Sequence, residues 1–218
     1  MNPLSIVVLI SGNGSNLQSI INAIAAQKIN AVISAVISNR ADAAGLQRAQ
    51  SAGIPTHIIN HRDYAGREQF DLALRGCIDS YQPQLVVLAG FMRILGDELV
   101  RHYEGRMLNI HPSLLPEFPG LDTHRRVLDS ANKQHGASVH FVTTELDGGP
   151  ILVQAVITVH TDDTVKSLQQ RVHEQEHLIY PLAIGWIAEG RVKYENHNII
   201  FDGQYLEKPV QISAKNNP

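Results

Sequence analysis

The chain of 218 residues contains a single cysteine, Cys77, and no long hydrophobic run. One cysteine cannot form an intrachain disulfide, which is typical of proteins from a reducing compartment. A transmembrane helix needs about 20 consecutive apolar residues, and the apolar run at residues 6–10 is far shorter and lacks the preceding positive charge of a signal peptide. The sequence therefore predicts a cytoplasmic protein without a membrane segment, in which Cys77 is a packed helical residue.

Positive charge is sparse and scattered. The chain has 18 Lys and Arg residues against 21 Asp and Glu residues, for a net charge of −3, and no basic block exceeds two adjacent residues. Proteins that bind nucleic acids usually carry a clustered basic surface, so we predict no nucleic-acid partner. The length suits one large core without metal or disulfide support. We predict one domain, residues 1–202, followed by a polar tail, residues 203–218, that frays.

Short apolar runs alternate with helical patterns in the first half of the chain. Strands are predicted at residues 6–10, 32–37, 56–59, 85–88 and 107–110. Helices are predicted at residues 16–26, 42–52, 67–81 and 97–102. Continuous β-branched runs are typical of strands buried on both faces of a parallel sheet. The pattern predicts an α/β fold, with a mainly parallel twisted sheet and helices on both faces.

The second half has longer, alternating strands. Residues 136–144 and 151–159 predict a hairpin-like, antiparallel excursion, and residues 164–188 predict a long helix that Pro181 could bend. A short strand pair is predicted at residues 191–194 and 198–201. No linker or internal repeat interrupts the chain, so this excursion belongs to the same domain.

A glycine-rich loop, residues 11–16, follows the first strand. Its glycines let backbone N–H groups approach an anion, and the next helix adds a favourable N-terminal dipole. As a dinucleotide fingerprint the loop fails, because Leu17 replaces the third glycine and Asn39 replaces the acid expected for a ribose. A phosphate site is the preferred interpretation. A purely structural turn, or an NADP site using Arg40, are the alternatives.

Asn109 and His111 stand at i and i+2 at the end of a predicted strand, so their side chains face the same side. An amide beside an imidazole can stabilise a developing oxyanion. Asp147, which precedes two glycines, could keep such an imidazole charged or orient a water molecule. The alternatives are a structural histidine and an Asx turn, and spacing alone does not bring Asp147 to His111.

Two further segments carry weaker signals. Residues 173–177 read His-Glu-Gln-Glu-His, the spacing of a zinc-peptidase helix, but Tyr180 stands where the extended motif has glycine. We therefore predict no metal. Residues 89–95 follow a buried strand, and their apolar side chains suit a flat aromatic ligand or fold back into the core. A Gly-x-Ser-x-Gly elbow is absent from the sequence, which gives serine hydrolase chemistry no support.

Five stretches together resemble the glycinamide ribonucleotide formyltransferases. In chain order they are VVLISGNGSNLQ, VVLAGFMRIL, LNIHPSLLP, HGASVHFVTTELDGGPIL and QEHLIYPL. They extend from residue 7 to residue 182 and cover nearly the whole chain before the tail. The resemblance implies a Rossmann-like formyltransferase fold. It also implies transfer of the formyl group of 10-formyltetrahydrofolate to the amine of glycinamide ribonucleotide in purine biosynthesis, without a metal.

The resemblance also assigns roles to residues. The catalytic residues are Asn109, His111 and Asp147. The substrate-binding residues are Gly14, Ser15, Asn16 and Glu176. The cofactor-binding residues are Arg67, Met92, Arg93, Ile94, Leu95 and Asn109. Asp122 departs from members that have histidine there, which leaves a helper role at that position in doubt. The implied state is a monomer or a homodimer.

Other classes remain as alternatives. A formyltetrahydrofolate hydrolase would add an N-terminal regulatory domain, and a methionyl-tRNA formyltransferase would add a basic C-terminal domain. We expect neither, because the first strand begins at Ile6 and little follows Phe201. A nucleotide or folate sensor without activity and a zinc peptidase are the remaining alternatives.

Overall fold

Eight strands form the main sheet of the computed structural model, which describes residues 2–213. They are β1 (Leu4–Ile10), β2 (Ala31–Ser38), β3 (Thr56–Ile58), β4 (Leu85–Leu88), β5 (Met107–His111), β6 (Gln134–Phe141), β7 (Ile151–Thr158) and, later in the chain, β11 (Val210–Ser213). A separate antiparallel sheet contains β8 (Val192–Glu195), β9 (Asn198–Phe201) and β10 (Gln204–Tyr205). The first five strands lie within two residues of their predicted ends.

The main sheet has the order β11-β7-β6-β5-β4-β1-β2-β3. The pairs β1/β2, β1/β4, β2/β3, β4/β5 and β7/β11 are parallel, whereas β6 is antiparallel to both neighbours. The chain leaves β1 toward β2 and β3, then returns to β4 on the other side of β1. The carboxyl ends of β1 and β4 therefore meet at a topological switch point, where ligands bind in open α/β sheets.

Six α-helices within residues 2–213 surround the main sheet. They are α1 (Ser15–Ala25), α2 (Ala44–Ser51), α3 (Arg67–Ser80), α4 (Asp97–His102), α5 (Thr123–Leu128) and α6 (Val165–Ala188). Ser167 and the N-cap Thr164 form a reciprocal capping box at the start of α6, and the helix continues past Pro181. Five of these helices were predicted. The helix α5 was not predicted, because its six residues are too few to show a clear period.

Two hydrophobic cores cover the two faces of the sheet. Ile6 and Val8 of β1 belong to the core that includes α1, α2 and α6 residues, while Val7 and Leu9 belong to the core with α3 and α4. All four side chains are fully buried. Successive side chains of a strand point to opposite faces, so burial on both faces explains the continuous apolar run of β1. These observations confirm the predicted α/β fold.

The predicted fraying of the tail from Gly203 is wrong for the part that the structure describes. Residues 204–205 pair with β9, and β11 pairs in parallel with β7 at the edge of the main sheet. Val210 and Ile212 alternate along β11 and pack against the larger core, which supplies the physical reason. Residues 214–218 of the predicted tail lie outside the described residues. No helix within residues 2–213 is long and apolar enough to cross a membrane.

Candidate active site

Three neighbouring strands, β1, β4 and β5, end at the same edge of the sheet and are followed by the loops that the sequence analysis singled out. A cavity of about 990 Å³ opens beside the last two of them. Its lining includes Asn109, His111, Asp147, Met92 and Asp122. The two motifs around residues 91 and 109 thus share one cavity with the acid from the hairpin connection.

The imidazole of His111 lies between two oxygen atoms. Its Nδ1 is 3.4 Å from Oδ2 of Asp147, and its Nε2 is 3.0 Å from the carbonyl oxygen of Phe118. The side chains of His111 and Asp147 are only 7% and 10% exposed. Both ring nitrogens therefore face acceptors in a largely dry site, and a doubly protonated ring could donate to both.

Asp147 is fixed by its backbone and by a loop. Its φ of 52° lies in the left-handed region, where asparagine and aspartate are tolerated better than most residues. Its Oδ2 accepts the N–H of Gly120 at 2.8 Å. The contact joins the β6–β7 connection to the loop after β5, 27 residues away, and it orients the carboxylate toward His111.

His140 is a site residue that the sequence analysis missed. It lies directly opposite Asn109 in the antiparallel pairing of β5 and β6. The Nδ1 of His140 is 3.0 Å from the Phe141 carbonyl oxygen, so this nitrogen donates, and Nε2 can accept the Asn109 amide N–H at 3.1 Å. Burial lowers the pKa of His140, which favours this neutral form. His140 could have been found from the predicted antiparallel strand, had its register with the strand of Asn109 been considered.

The glycine-rich loop presses against α2. Gly14 adopts a φ of 75° at the N-cap of α1, where no side chain of the described residues caps the helix. A Cβ on Gly14 would lie 2.6 Å from the Cα of Gly45, and the N–H of Gly45 donates to the Gly12 carbonyl. The first N–H groups of α1, which begins at Ser15, are thus left available to an anion.

Arg48 brings a positive charge to this loop. Its Nε donates to the Asn13 carbonyl oxygen at 2.9 Å, and its Nη2 donates to Asn13 Oδ1 at 3.1 Å. Arg48 stands on α2, 35 residues from Asn13, so sequence spacing gave no signal for the contact.

Asn16 and Glu176 meet although 160 residues separate them. Asn16 Nδ2 donates to Glu176 Oε2 at 2.9 Å, and both residues are buried. Burial raises the pKa of Glu176, whereas the Asn16 hydrogen bond lowers it. Among the described residues, Asn16 Oδ1 has no hydrogen-bond partner. These four residues, Gly14, Ser15, Asn16 and Glu176, lie outside the cavity lining described above.

The segment after β4 combines exposed and anchored residues. Met92 and Ile94 are 70% and 60% exposed at the cavity, while Leu95 is buried. The Arg93 guanidinium lies over the Phe70 ring, with its Cζ 5.5 Å from the ring centroid. Arg67 lies near Gly96, beside this segment but outside the cavity lining.

Asp71 holds the end of the same segment. Its Oδ2 accepts the Gly96 N–H at 2.7 Å. Burial raises the pKa of Asp71, and the nearby charges of Arg67 and Arg93 act in the opposite direction. Asp71 was not predicted as a site residue, because an acid inside an amphipathic helix usually faces solvent.

The zinc-like motif lies on α6. The rings of His173 and His177 stack with centroids 6.4 Å apart, and Glu176 is engaged with Asn16. Within residues 2–213, no group of three or more His, Cys, Asp or Glu side chains is arranged to hold a metal ion. Arg40, the alternative NADP contact, pairs with Asp42 at the surface.

Comparisons with known proteins identify the family and the fold of the chain. The family model for formyl transferases matches residues 4–184. Phosphoribosylglycinamide formyltransferase of Escherichia coli (strain K12) is 54% identical over 203 residues, covering 93% of this chain and 96% of the relative. The solved structure of phosphoribosylglycinamide formyltransferase from Coxiella burnetii has a TM-score of 0.93 at 53% identity, covering 96% of this chain and 99% of that chain. Glycinamide ribonucleotide transformylase 1 from Symbiobacterium toebii gives a TM-score of 0.88 at 43% identity, covering 92% and 94%.

Proposed function

The chain belongs to the formyl transferase family, and we propose that it transfers the formyl group of 10-formyltetrahydrofolate to the amine of glycinamide ribonucleotide. The reaction is a step of purine biosynthesis, and the enzyme is a phosphoribosylglycinamide formyltransferase. The observation that carries the proposal is the convergence of Asn109, His111 and Asp147 at one cavity, with Asp147 3.4 Å from the imidazole.

These three groups match direct attack of the amine on the formyl carbon. Attack gives a tetrahedral intermediate whose former carbonyl oxygen carries negative charge. Hydrogen-bond donors aimed at such an oxygen stabilise the transition state, and each donor typically contributes about 10²–10³ in rate. We assign the oxyanion to the side-chain amide of Asn109 and to Nε2 of His111, because Nδ1 faces Asp147. The Phe118 carbonyl accepts from Nε2 in this structure, so substrate binding has to displace it.

His140 gives Asn109 one orientation. By accepting one N–H of the Asn109 amide, it fixes the plane of that group and leaves the second N–H for the substrate oxygen. The register of β5 and β6 supports this role, because it sets His140 directly opposite Asn109. His140 is accordingly a positioning residue in the proposal.

Asp147 controls the proton. The attacking nitrogen must lose a proton, and the leaving folate nitrogen must gain one. Oδ2 of Asp147 is occupied by Gly120 and faces His111, so we assign Oδ1 to a water molecule that carries the proton between the two nitrogens. A His111 ring that carries a proton on both nitrogens can donate to Asp147 through Nδ1 and to the oxyanion through Nε2, and a charged donor forms the stronger hydrogen bond.

The phosphate of the ribonucleotide fits the loop that precedes α1. Gly14 allows close approach, the N–H groups of Ser15 and Asn16 begin the helix, and Arg48 supplies a positive charge nearby. The buried pair Asn16 and Glu176 offers polar atoms to the rest of the substrate. An unpartnered acceptor, Asn16 Oδ1, supports a ligand donor at this place.

The folate fits the segment after β4. Met92 and Ile94 expose apolar surface at the cavity and suit the flat pterin ring. Arg67 and Arg93 place two guanidinium groups beside the same segment, where they can attract the acidic part of the co-substrate. The formyl group of this co-substrate is already activated, so the protein need not supply a nucleophile.

Cysteine chemistry has no place in the proposed reaction. Cys77 lies on α3, it does not line the cavity, and burial raises the pKa of its thiol. A thiol with a raised pKa is a poor nucleophile at neutral pH. We also propose that the enzyme works in the cytoplasm, where a lone cysteine stays reduced, as a monomer or a homodimer without nucleic-acid or membrane partners.

A formyl-transfer assay tests the proposal. Purified protein is mixed with glycinamide ribonucleotide and 10-formyltetrahydrofolate, and the formylated nucleotide and tetrahydrofolate are measured together. We expect equal amounts of both products. Release of formate without formylated nucleotide would indicate a hydrolase instead, and binding of either ligand without any turnover would indicate a sensor.

A further inference from the structure

Ser11 lies at the end of β1, between the two loops assigned to the substrates. Its backbone N–H donates to the Gly90 carbonyl oxygen at 3.1 Å. Its hydroxyl oxygen accepts the Met92 N–H at 2.8 Å. One residue thus joins the start of the phosphate loop to two positions of the folate segment.

The hydroxyl proton of Ser11 has its own partner. Since the Met92 N–H can only donate, the Ser11 hydroxyl is free to donate to Asn39 Oδ1, which lies 2.6 Å away. Asn39 follows β2 and is 3% exposed, and Ser11 is 6% exposed. The hydrogen bond between Ser11 and Asn39 is therefore shielded from water, where a lost partner is costly, and the bond from the Met92 N–H is partly buried.

Asn39 is held in turn by His61. The backbone carbonyl oxygen of Asn39 lies 3.1 Å from Nδ1 of His61, and the side-chain amide nitrogen of Asn39 lies 3.2 Å from the same Nδ1. A single Nδ1 serves one of these contacts at a time, because it is either a donor or an acceptor. In either tautomer His61 contacts Asn39, through the backbone carbonyl oxygen or the side-chain amide nitrogen.

We propose that Ser11 is a positioning residue that fixes the phosphate loop and the folate segment against each other. The inference rests on the proposed function, because that function assigns one substrate to each loop. Ser11 touches neither set of reacting atoms in the proposal. It acts through Met92 on the folate side and through the residues that follow it on the phosphate side.

The hydroxyl is the group that this place requires. At the end of β1, a small side chain must accept a hydrogen bond from the Met92 N–H and donate one to Asn39 Oδ1. Alanine would leave the Met92 N–H and Asn39 Oδ1 without these partners. Cysteine keeps the shape but is a weak donor and a weak acceptor.

The test measures binding of each substrate separately by calorimetry. Ser11→Ala should raise the Kd of glycinamide ribonucleotide and the Kd of 10-formyltetrahydrofolate, each about tenfold, because a lost buried hydrogen bond typically weakens an equilibrium by such a factor. Gly14→Val should weaken binding of the ribonucleotide far more than binding of the folate, and Arg67→Met should weaken binding of the folate far more than binding of the ribonucleotide. A rise for both ligands is therefore the signature of Ser11.

The matched control is Ser34→Ala. Ser34 also forms a hydroxyl contact between β1 and β2, to Ser5 at 2.8 Å, but away from the loops. We expect both Kd values to stay unchanged in this variant. A general loss of folded protein would lower the measured binding stoichiometry rather than raise either Kd, so it is distinguished from positioning.

Ser11→Cys provides the second variant if the alanine variant does not fold. It should raise both Kd values by a smaller factor than alanine. Unchanged Kd values, or a change for one ligand alone, would overturn the inference in either variant. Wild-type protein that binds neither ligand would instead contradict the proposed function.

Discussion

Nδ1 of His111 faces Asp147 at 3.4 Å while Nε2 of the same ring donates to the carbonyl oxygen of Phe118 at 3.0 Å. The ring is thus held at both nitrogens in this structure. In the proposed reaction the oxyanion takes the place of the Phe118 carbonyl at Nε2, while the contact of Nδ1 with Asp147 keeps the ring oriented.

His111→Ala should lower turnover by about 10²–10³-fold, because it removes one donor to the oxyanion. Binding of glycinamide ribonucleotide and of 10-formyltetrahydrofolate should largely survive. The rate of product formation measures turnover, and calorimetry measures the Kd of each ligand. His160→Ala, at an exposed histidine before α6, is the control. Normal turnover of the His111 variant would remove this residue from the mechanism.

Asp147→Asn should lower turnover by about 10²–10⁴-fold, the usual contribution of a positioned acid or base. An asparagine oxygen can still accept the Gly120 N–H, so the loop contact should persist. Hydrogen exchange at the Gly120 amide measures that contact. The Asp147→Ala variant should show both the lower turnover and faster hydrogen exchange at the Gly120 amide. If the asparagine variant also loses the protection, the rate loss reflects a displaced loop rather than the missing charge.

Gly14→Val should weaken the ribonucleotide far more than the folate. The new Cβ would lie 2.6 Å from the Gly45 Cα, and a branched side chain disfavours a φ of 75°. Calorimetry with each ligand checks the selectivity. Gly76→Ala is the control, because a Cβ there meets nothing within 4 Å and alanine suits a helix. Equal losses of both ligands would count against a phosphate site in this loop.

Acid should destabilise the fold through His124 and His135, whose ring nitrogens lie 3.0 Å apart. Burial lowers the pKa of His124 to about 4 and that of His135 to about 3. The same groups titrate near 6.5 in an unfolded chain. The unfolded state therefore binds more protons below about pH 6.5, and stability falls from there toward about pH 4.

Urea unfolding at pH 7 and at pH 5 checks this effect. His124→Gln removes one titrating ring, so the free energy of unfolding should fall less between the two pH values than in the wild type. His160→Gln should keep the wild-type dependence. An equal fall in the His124 variant and the wild type would show that this pair does not set the acid sensitivity.

EDTA should not change the rate of formyl transfer. In the motif that resembles a zinc site the two histidines stack on each other, and Glu176, at a variable position of the motif, is hydrogen-bonded to Asn16. Elemental analysis of the purified protein and an assay with EDTA check the expectation. Stoichiometric zinc together with loss of activity in EDTA would support the metal-dependent alternative.

Local patterns predicted most of the fold. The apolar run of β1 and the periodicity of α3 and α6 could be recognised because the buried faces of each segment determine which of its own residues are apolar. The tail was mispredicted because β11 has only two apolar residues, Val210 and Ile212, and gains its stability from pairing with β7. The paired residues are 57 apart in sequence, as in Val210 and Val153, and such a contact leaves no local pattern.

In the candidate site as well, local spacing predicted some features, and contacts between distant segments were not predicted. The i, i+2 spacing of Asn109 and His111 predicted that their side chains share one face, and both line the same cavity. Spacing could not show the approach of Asp147, the pairing of His140 with Asn109, or the contact of Arg48 with Asn13. Each depends on the register of strands or on the packing of a helix against a loop.

Of the eight described strands in the main sheet, β6 alone is antiparallel to the others. Its pairing with β5 limits where the chain can accept additional residues. Adding one residue within β6 ahead of His140 would turn that side chain to the opposite face and leave Asn109 without its partner. Extra residues in the connection between α5 and β6 would not change which face His140 occupies. Length variation among homologous enzymes should therefore concentrate in that connection and avoid the strand.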